Sequence, residues 1–199
     1  MIQSKEDLKK YIRQDRLMNG IPEETSLAYK IARFFVPDLT IKYLCYLRKE
    51  EFYTNRGGFL CKILRLLYMY KKRKIGIKLG YSIPVNVFGP GLSLPHYGTI
   101  VVSKNAKVGK NCRLHVGTNI GASAGRPKAP VIGDNVYIGP GAILFGNITI
   151  ADNVTVAANA TVNRNCEIPN VVLAGTPAKI VKEKYDSWII FNKISKSKK

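Results

Sequence analysis

Between Val102 and Ile180 an aliphatic side chain returns at every sixth residue. The phase runs Val102, Val108, Leu114, Ile120, Arg126, Ile132, Ile138, Leu144, Ile150, Val156, Val162, Ile168, Ala174 and Ile180. Twelve of these fourteen places are Ile, Leu or Val. Chance would supply only about four, so the period is built into the chain. Six residues are too few for a helix pair and too regular for hairpins. The period suits a short strand and a tight corner, repeated so that successive coils stack and their inward aliphatics merge into one core. Four places after each aliphatic stands a mostly small or compact residue, among them Ala106, Cys112, Thr118, Val136, Ala142, Val154, Ala160 and Cys166. Cys112 and Cys166 therefore read as packing residues. Gly, Asn and Asp between the strands give the corners their backbone freedom.

Arg126 is the one charged residue on the inward phase, and it lies in GASAGRPKAP, which lacks strand formers. Residues 122–130 are therefore expected to leave the coil as an extruded loop. Ahead of the repeat, residues 1–79 read as helical. A first helix covers 4–18, a second starts at Pro22-Glu23-Glu24, Pro37 interrupts, and Gly57-Gly58 separates the last one. In that last helix Phe59, Ile63, Leu66, Leu67 and Tyr70 recur at helical spacing. The ordinary reading packs this stripe on the rest of the protein; the other lays a basic amphipathic helix on an anionic membrane. The chain thus divides into a helical segment (1–79), a repeat domain (80–181) and a basic tail (182–199).

Composition narrows the function classes. The 199 residues carry 32 Lys+Arg against 13 Asp+Glu, a net charge of +19 that favours anionic partners. It is uneven: +10 in residues 1–82, +5 in 83–181 and +4 in 182–199, so most of the excess lies outside the repeat. No zinc, KH, RRM or helix-turn-helix signature supports a nucleic-acid partner, so none is expected. No apolar run is long enough to span a membrane, and MIQSKEDLKKYIRQDR is too charged for a secretory signal. Four scattered cysteines without a CxxC pair and only two histidines point to reduced thiols and no metal. The expected setting is cytoplasmic, with the basic flanks able to meet the inner face of the membrane.

GPGL, LPHYGTIVV, IGDNVYIGPGA and AGTPAKIV, spread over about residues 80–181, together resemble the hexapeptide-repeat acyltransferases. Within them the look is that of serine acetyltransferase-like enzymes, including O-acetyltransferases of bacterial surface polysaccharides. The resemblance implies a mainly β fold, a left-handed parallel β-helix with an N-terminal α-helical segment. It also implies acetyl-CoA as co-substrate, no metal, and a homotrimer with sites between subunits.

His96 in LPHYG stands where this family carries its catalytic histidine, the general base that takes the acceptor hydroxyl's proton. Tyr97 beside it, and His115 about one coil later, become supporting or acceptor-binding candidates. The family's oxyanion donors correspond to the backbone of Gly121 or Ala122. Its pantetheine contacts correspond to the neighbourhoods of Pro140, Ala142 and Ala158, and Lys179 is a candidate for the coenzyme phosphates. Tyr81 or Ser82, Pro95 and Ala129 occupy places where serine acetyltransferases carry an aspartate, a second aspartate and a second histidine. Asn86 is a candidate to orient His96 instead, and Arg126 to face an anion. These departures, with the KISKSKK end, set the expected reaction as O-acetylation of a sugar hydroxyl in capsule or surface polysaccharide synthesis. The alternative is the serine O-acetyltransferase of cysteine biosynthesis. From other classes come an inactive β-helix scaffold and a basic protein that binds nucleic acid or a membrane surface.

Overall fold

The computed structural model describes residues 1–23 and 26–190. Four helices come first: α1 (Lys5–Met18), α2 (Leu27–Phe35), α3 (Leu39–Thr54) and α4 (Phe59–Leu79). Thirteen short strands follow: β1 (Tyr81–Ser82), β2 (Ile100–Val102), β3 (Lys107–Val108), β4 (Arg113–Leu114), β5 (Asn119–Gly121), β6 (Val131–Ile132), β7 (Tyr137–Ile138), β8 (Ile143–Phe145), β9 (Thr149–Ile150), β10 (Thr155–Val156), β11 (Thr161–Val162), β12 (Val172–Ala174) and β13 (Lys179–Lys182). They build three faces of a prism: β1-β2-β5-β8-β11, then β3-β6-β9, then β13-β12-β10-β7-β4. Every pairing is parallel except β12 with β13. This is the mainly β, left-handed parallel β-helix with helices before it.

The inward aliphatics fill the prism. Leu114, Ile120, Ile138, Leu144 and Val156 are completely buried, and compact Ala142, Val154 and Ala160 complete the layers between them. The stacking interval exposes the insertion. Asp134 N–H meets the Asp152 carboxylate 18 residues on, whereas Lys110 N–H meets that of Asp134 across 24. The six extra residues leave between β5 and β6, which carries Arg126 out to solvent.

The phase fails after Val162. Ile168 and Ile180 are exposed and Ala174 is only half-buried. Leu173 takes the inward place opposite Val156, and Cys166 stands opposite Ile150. The last coil is shortened, and β13 folds back antiparallel along β12, so that the final parallel strand is not left as the edge of its sheet.

One corner of each coil turns on an asparagine at positive φ: Asn111, Asn135, Asn153 and Asn170, between 54° and 60°. Asparagine tolerates this conformation better than other residues with a Cβ. The amides also ladder along the axis, Asn111 Nδ2 donating to Asn135 Oδ1 at 2.9 Å and Asn135 Nδ2 to Asn153 Oδ1 at 3.0 Å. Asn135→Ala loses both the ladder bonds and the side chain that suits the turn, an expected cost of roughly 2–3 kcal/mol in denaturant unfolding. Asn135→Gly keeps the turn and is expected to cost about half as much; equal losses would refute the conformational share.

The helical segment clamps the first coil through one buried ion network. Arg48 on α3 is fully buried, donating to the Asp15 carboxylate at 2.8 and 3.2 Å and to Glu51 Oε2 at 2.9 Å. It also donates to the Phe88 and Gly89 carbonyls at 2.9 and 2.7 Å. Asp15 in turn accepts the Gly91 and Leu92 N–H groups, and Glu51 accepts that of Asn86. Burial alone would lower the pKa of the guanidinium, but the two carboxylates outweigh it and hold that pKa above the ordinary value.

Two readings of the helices need correction. The helix after Pro22 starts only at Leu27, because the Ser26 hydroxyl, accepting Tyr29 N–H at 3.2 Å, supplies the cap that Pro22 lacks. The stripe on α4 is not packed inward. Ile75 and Leu79 are buried, and Tyr68 stacks on Tyr53 of α3, so the helix docks by its other side. Of the basic tail, residues 183–190 return to the repeat, where Trp188 is buried and Tyr185 N–H donates to the Asn170 carbonyl at 2.7 Å. Residues 191–199 lie outside the described residues.

Candidate active site

The two histidines meet at one corner of the prism. Ser93 bridges Arg113 on the third face and Ile100 begins β2 on the first, so His96 stands on the turn between these faces. His115 follows β4 at the same corner one coil on, and the two rings lie with centroids 6.0 Å apart. The stacking of coils makes this contact. His96 is exposed, and its carbonyl accepts the Tyr81 hydroxyl at 2.7 Å. Tyr81 is buried, its ring edge-on to Tyr43 of α3 with centroids 5.2 Å apart. Tyr81, one of the two residues read at the aspartate place of serine acetyltransferases, thus fixes the backbone of LPHYG rather than the imidazole.

His115 is half-buried against Tyr137, ring centroids 5.0 Å apart. Arg113 Nε donates to His115 Nε2 at 3.4 Å. A guanidinium only donates, so Nε2 is the acceptor in this contact. Burial, then the charges of Arg113 and His96, push the His115 pKa down to about 4. His115 is therefore neutral near pH 7 and adds no positive charge beside His96.

A cavity of about 540 Å³ opens between the ends of α1 and α3 and the first coil. Pro95 and Tyr97, the neighbours of His96, line it with Asn19, Asp38, Thr40 and Arg113. Asp38 is committed, capping Thr40 and Ile41 N–H and bonding Arg33 at 3.2 Å. Arg113 is half-buried over the Trp188 ring, 5.4 Å from its centroid, and makes no ion pair among the described residues. Its pKa is lowered by burial.

The corner turned by His96 and His115 recurs at Pro140 and Ala158, both exposed. Ala142 is wholly buried; its N–H donates to the Gly139 carbonyl and its carbonyl accepts Asn119 N–H, so its peptide groups serve the coil. Lys179 is exposed on β13 opposite Ala174. Other candidates stand elsewhere. Gly121 pairs with Phe145 at the far end of β5, where Ala122 begins the loop that carries Arg126. Asn86 does not orient His96. Its side chain exchanges hydrogen bonds of 2.9 and 2.8 Å with Asn55 at the junction with α3, because its corner is the one facing the helices.

Arg113, Tyr81 and Trp188 were not among the candidates read from the sequence. Arg113 sits on the outward phase like any solvated base. The one signal available was Trp188, the only tryptophan, in a segment otherwise rich in lysine.

Residues 129–164 match the family described as Bacterial transferase hexapeptide (six repeats). That match falls inside the repeat, from β6 to β11. A serine acetyltransferase of Buchnera aphidicola is 32% identical over 121 residues, covering 59% of this chain and 46% of that protein. A putative acetyltransferase of Dictyostelium discoideum is 41% identical over 126 residues, 58% of this chain and 65% of that one. The chain spans about half the length of the curated serine acetyltransferases it matches. The solved serine acetyltransferase of Neisseria gonorrhoeae superposes with a TM-score of 0.70 at 21% identity, over 92% of this chain and 69% of that one, a likeness of fold.

The relatives whose acceptor is named overturn the expected sugar acceptor: they are serine acetyltransferases, not polysaccharide-modifying enzymes. The error lay in treating missing carboxylates at Tyr81 and Pro95 as evidence for a different acceptor. Tyr81 has a structural task there, and a cavity that no motif marks is lined by Pro95 and Tyr97 on either side of the histidine.

Proposed function

We propose that the protein is an O-acetyltransferase that moves the acetyl group of acetyl-CoA to the hydroxyl of serine. The observation that carries this reading is the pair of rings, exposed His96 beside neutral His115, next to a cavity that Pro95, Tyr97 and Arg113 line. The serine acetyltransferase relatives supply the reaction class, and one solved neighbour holds serine. His96 takes the proton as the acceptor oxygen attacks the thioester carbonyl, and returns it to the departing thiolate; no covalent enzyme intermediate is needed. A neutral His115 keeps the neighbouring imidazolium from facing a second charge.

Gly121 and Ala122, with Arg126 beyond them, stand at a different corner from His96. If they hold the oxyanion, they do so from a neighbouring copy, and we therefore include a homotrimer in the proposal. Pro140, Ala158 and Lys179 remain the candidates for the coenzyme arm and phosphates.

Serine also needs a partner for its carboxylate. Arg113 fits that need, since its guanidinium lines the cavity without an acid of its own. Arg113→Met is expected to raise KM for serine about 10- to 100-fold, the range for a lost charged hydrogen bond, with a smaller change in kcat. Serinamide, which has no carboxylate, should be acetylated about equally by both forms. Thiol release from acetyl-CoA with serine, serinamide and a sugar panel tests the whole reading. Loss of serine preference in the variant supports the Arg113 assignment, and preference unchanged removes it. No thiol release with serine by the unaltered protein would sink the proposed reaction itself.

A further inference from the structure

We infer that α4 seats the protein on an anionic lipid surface. The helix has two opposite sides. Tyr68, Ile75 and Leu79 lie on the side that faces α3 and the start of the repeat. On the other, Phe59 is 80% exposed, Leu66 51%, Tyr70 63% and Ile77 74%, with Ile63 between them. Steps of three, four and seven residues put these side chains in one line along the helix. An apolar line of this length facing water has a cost that a covering partner would remove.

Charge selects the partner. Phe59–Leu79 contains seven Lys or Arg and no Asp or Glu. Lys72 is paired with Glu50, and Lys71 lies over the Tyr46 and Tyr68 rings. Lys62, Arg73, Lys74 and Lys78 are exposed around the apolar line and form no ion pair among the described residues. A second copy meeting this helix across a twofold axis would set base against base. Anionic headgroups would instead neutralise the bases while the acyl boundary takes up the apolar line. No helix among the described residues is long and apolar enough to cross a membrane, so α4 would lie in the interface rather than span it. This inference is independent of the proposed reaction.

Co-sedimentation of the full chain with vesicles tests it. The unaltered protein is expected to pellet with phosphatidylcholine vesicles containing about one third phosphatidylglycerol, not with phosphatidylcholine alone, and to be released by salt. The triple variant F59S/L66S/Y70S should bind about tenfold or more weakly, and so should K62E/R73E/K78E. Both should keep the thermal unfolding and the dissolved-substrate activity of the parent, because none of these residues lines the cavity. If the first variant folds poorly, the second carries the test. The inference is overturned if the parent does not pellet with the anionic vesicles, or if both variants bind as well as the parent. It is also overturned if the parent ignores vesicles but forms an assembly that F59S/L66S/Y70S dissolves, since a second copy would then cover the face.

Discussion

His96→Ala is expected to lower the rate of thiol release from acetyl-CoA with serine by about 10²- to 10⁴-fold while leaving thermal unfolding unchanged. The two halves of this expectation come from different atoms. The imidazole is exposed, so removing it opens no cavity in the core. The backbone of the same residue is held by Tyr81 through a carbonyl that alanine retains, so the loop stays in place. His115→Asn should cost less, because a neutral ring neighbour transfers no proton of its own. A His96→Ala enzyme turning over at a rate close to the parent would end the general-base assignment.

Arg48→Met should destabilise the chain by about 3–5 kcal/mol, the loss expected when one member of a buried ion network is removed. The guanidinium is wholly buried, and its departure leaves Asp15 and Glu51 as neighbouring carboxylates without a cation. Both carboxylates also hold N–H groups of the first coil, at Gly91 and Leu92 and at Asn86. That coil leads directly into LPHYG, so the variant should lose activity at denaturant concentrations where the parent is still active. Chemical unfolding followed by Trp188 fluorescence measures the stability change, and the single tryptophan reports from the third face beside Arg113. A midpoint within experimental error of the parent would mean that the network is not what joins the helices to the repeat.

Legibility differed from one element to the next. The coil could be read because its constraint is local and repeated: at every turn the prism admits one aliphatic and one compact residue. The same rule exposed the inserted loop, since Arg126 cannot occupy an inward place. It misled at the last coil, where Leu173 rather than Ala174 points inward. A terminal coil stacks on a neighbour only on one side, and a shorter path with β13 folded back satisfies it. Helix spacing was read correctly on α4, but spacing says only that a face is apolar, not that anything covers it. Tyr81 was noticed as a missing aspartate, whereas its buried hydroxyl is what fixes the backbone at His96.

By itself the sequence determined a stacked six-residue coil, its insertion after Ile120 and the motif around His96, because each is written in residues close together in the chain. Only the tertiary structure decided which side chains face His96 from other coils and other helices. His115 arrives through the stacking interval, Arg113 gains its half-buried setting from Trp188 of the returning tail, and the cavity exists because the Arg48 network draws α1 and α3 against the first coil. Contacts of that kind depend on how separate segments pack, and no spacing along the chain encodes them.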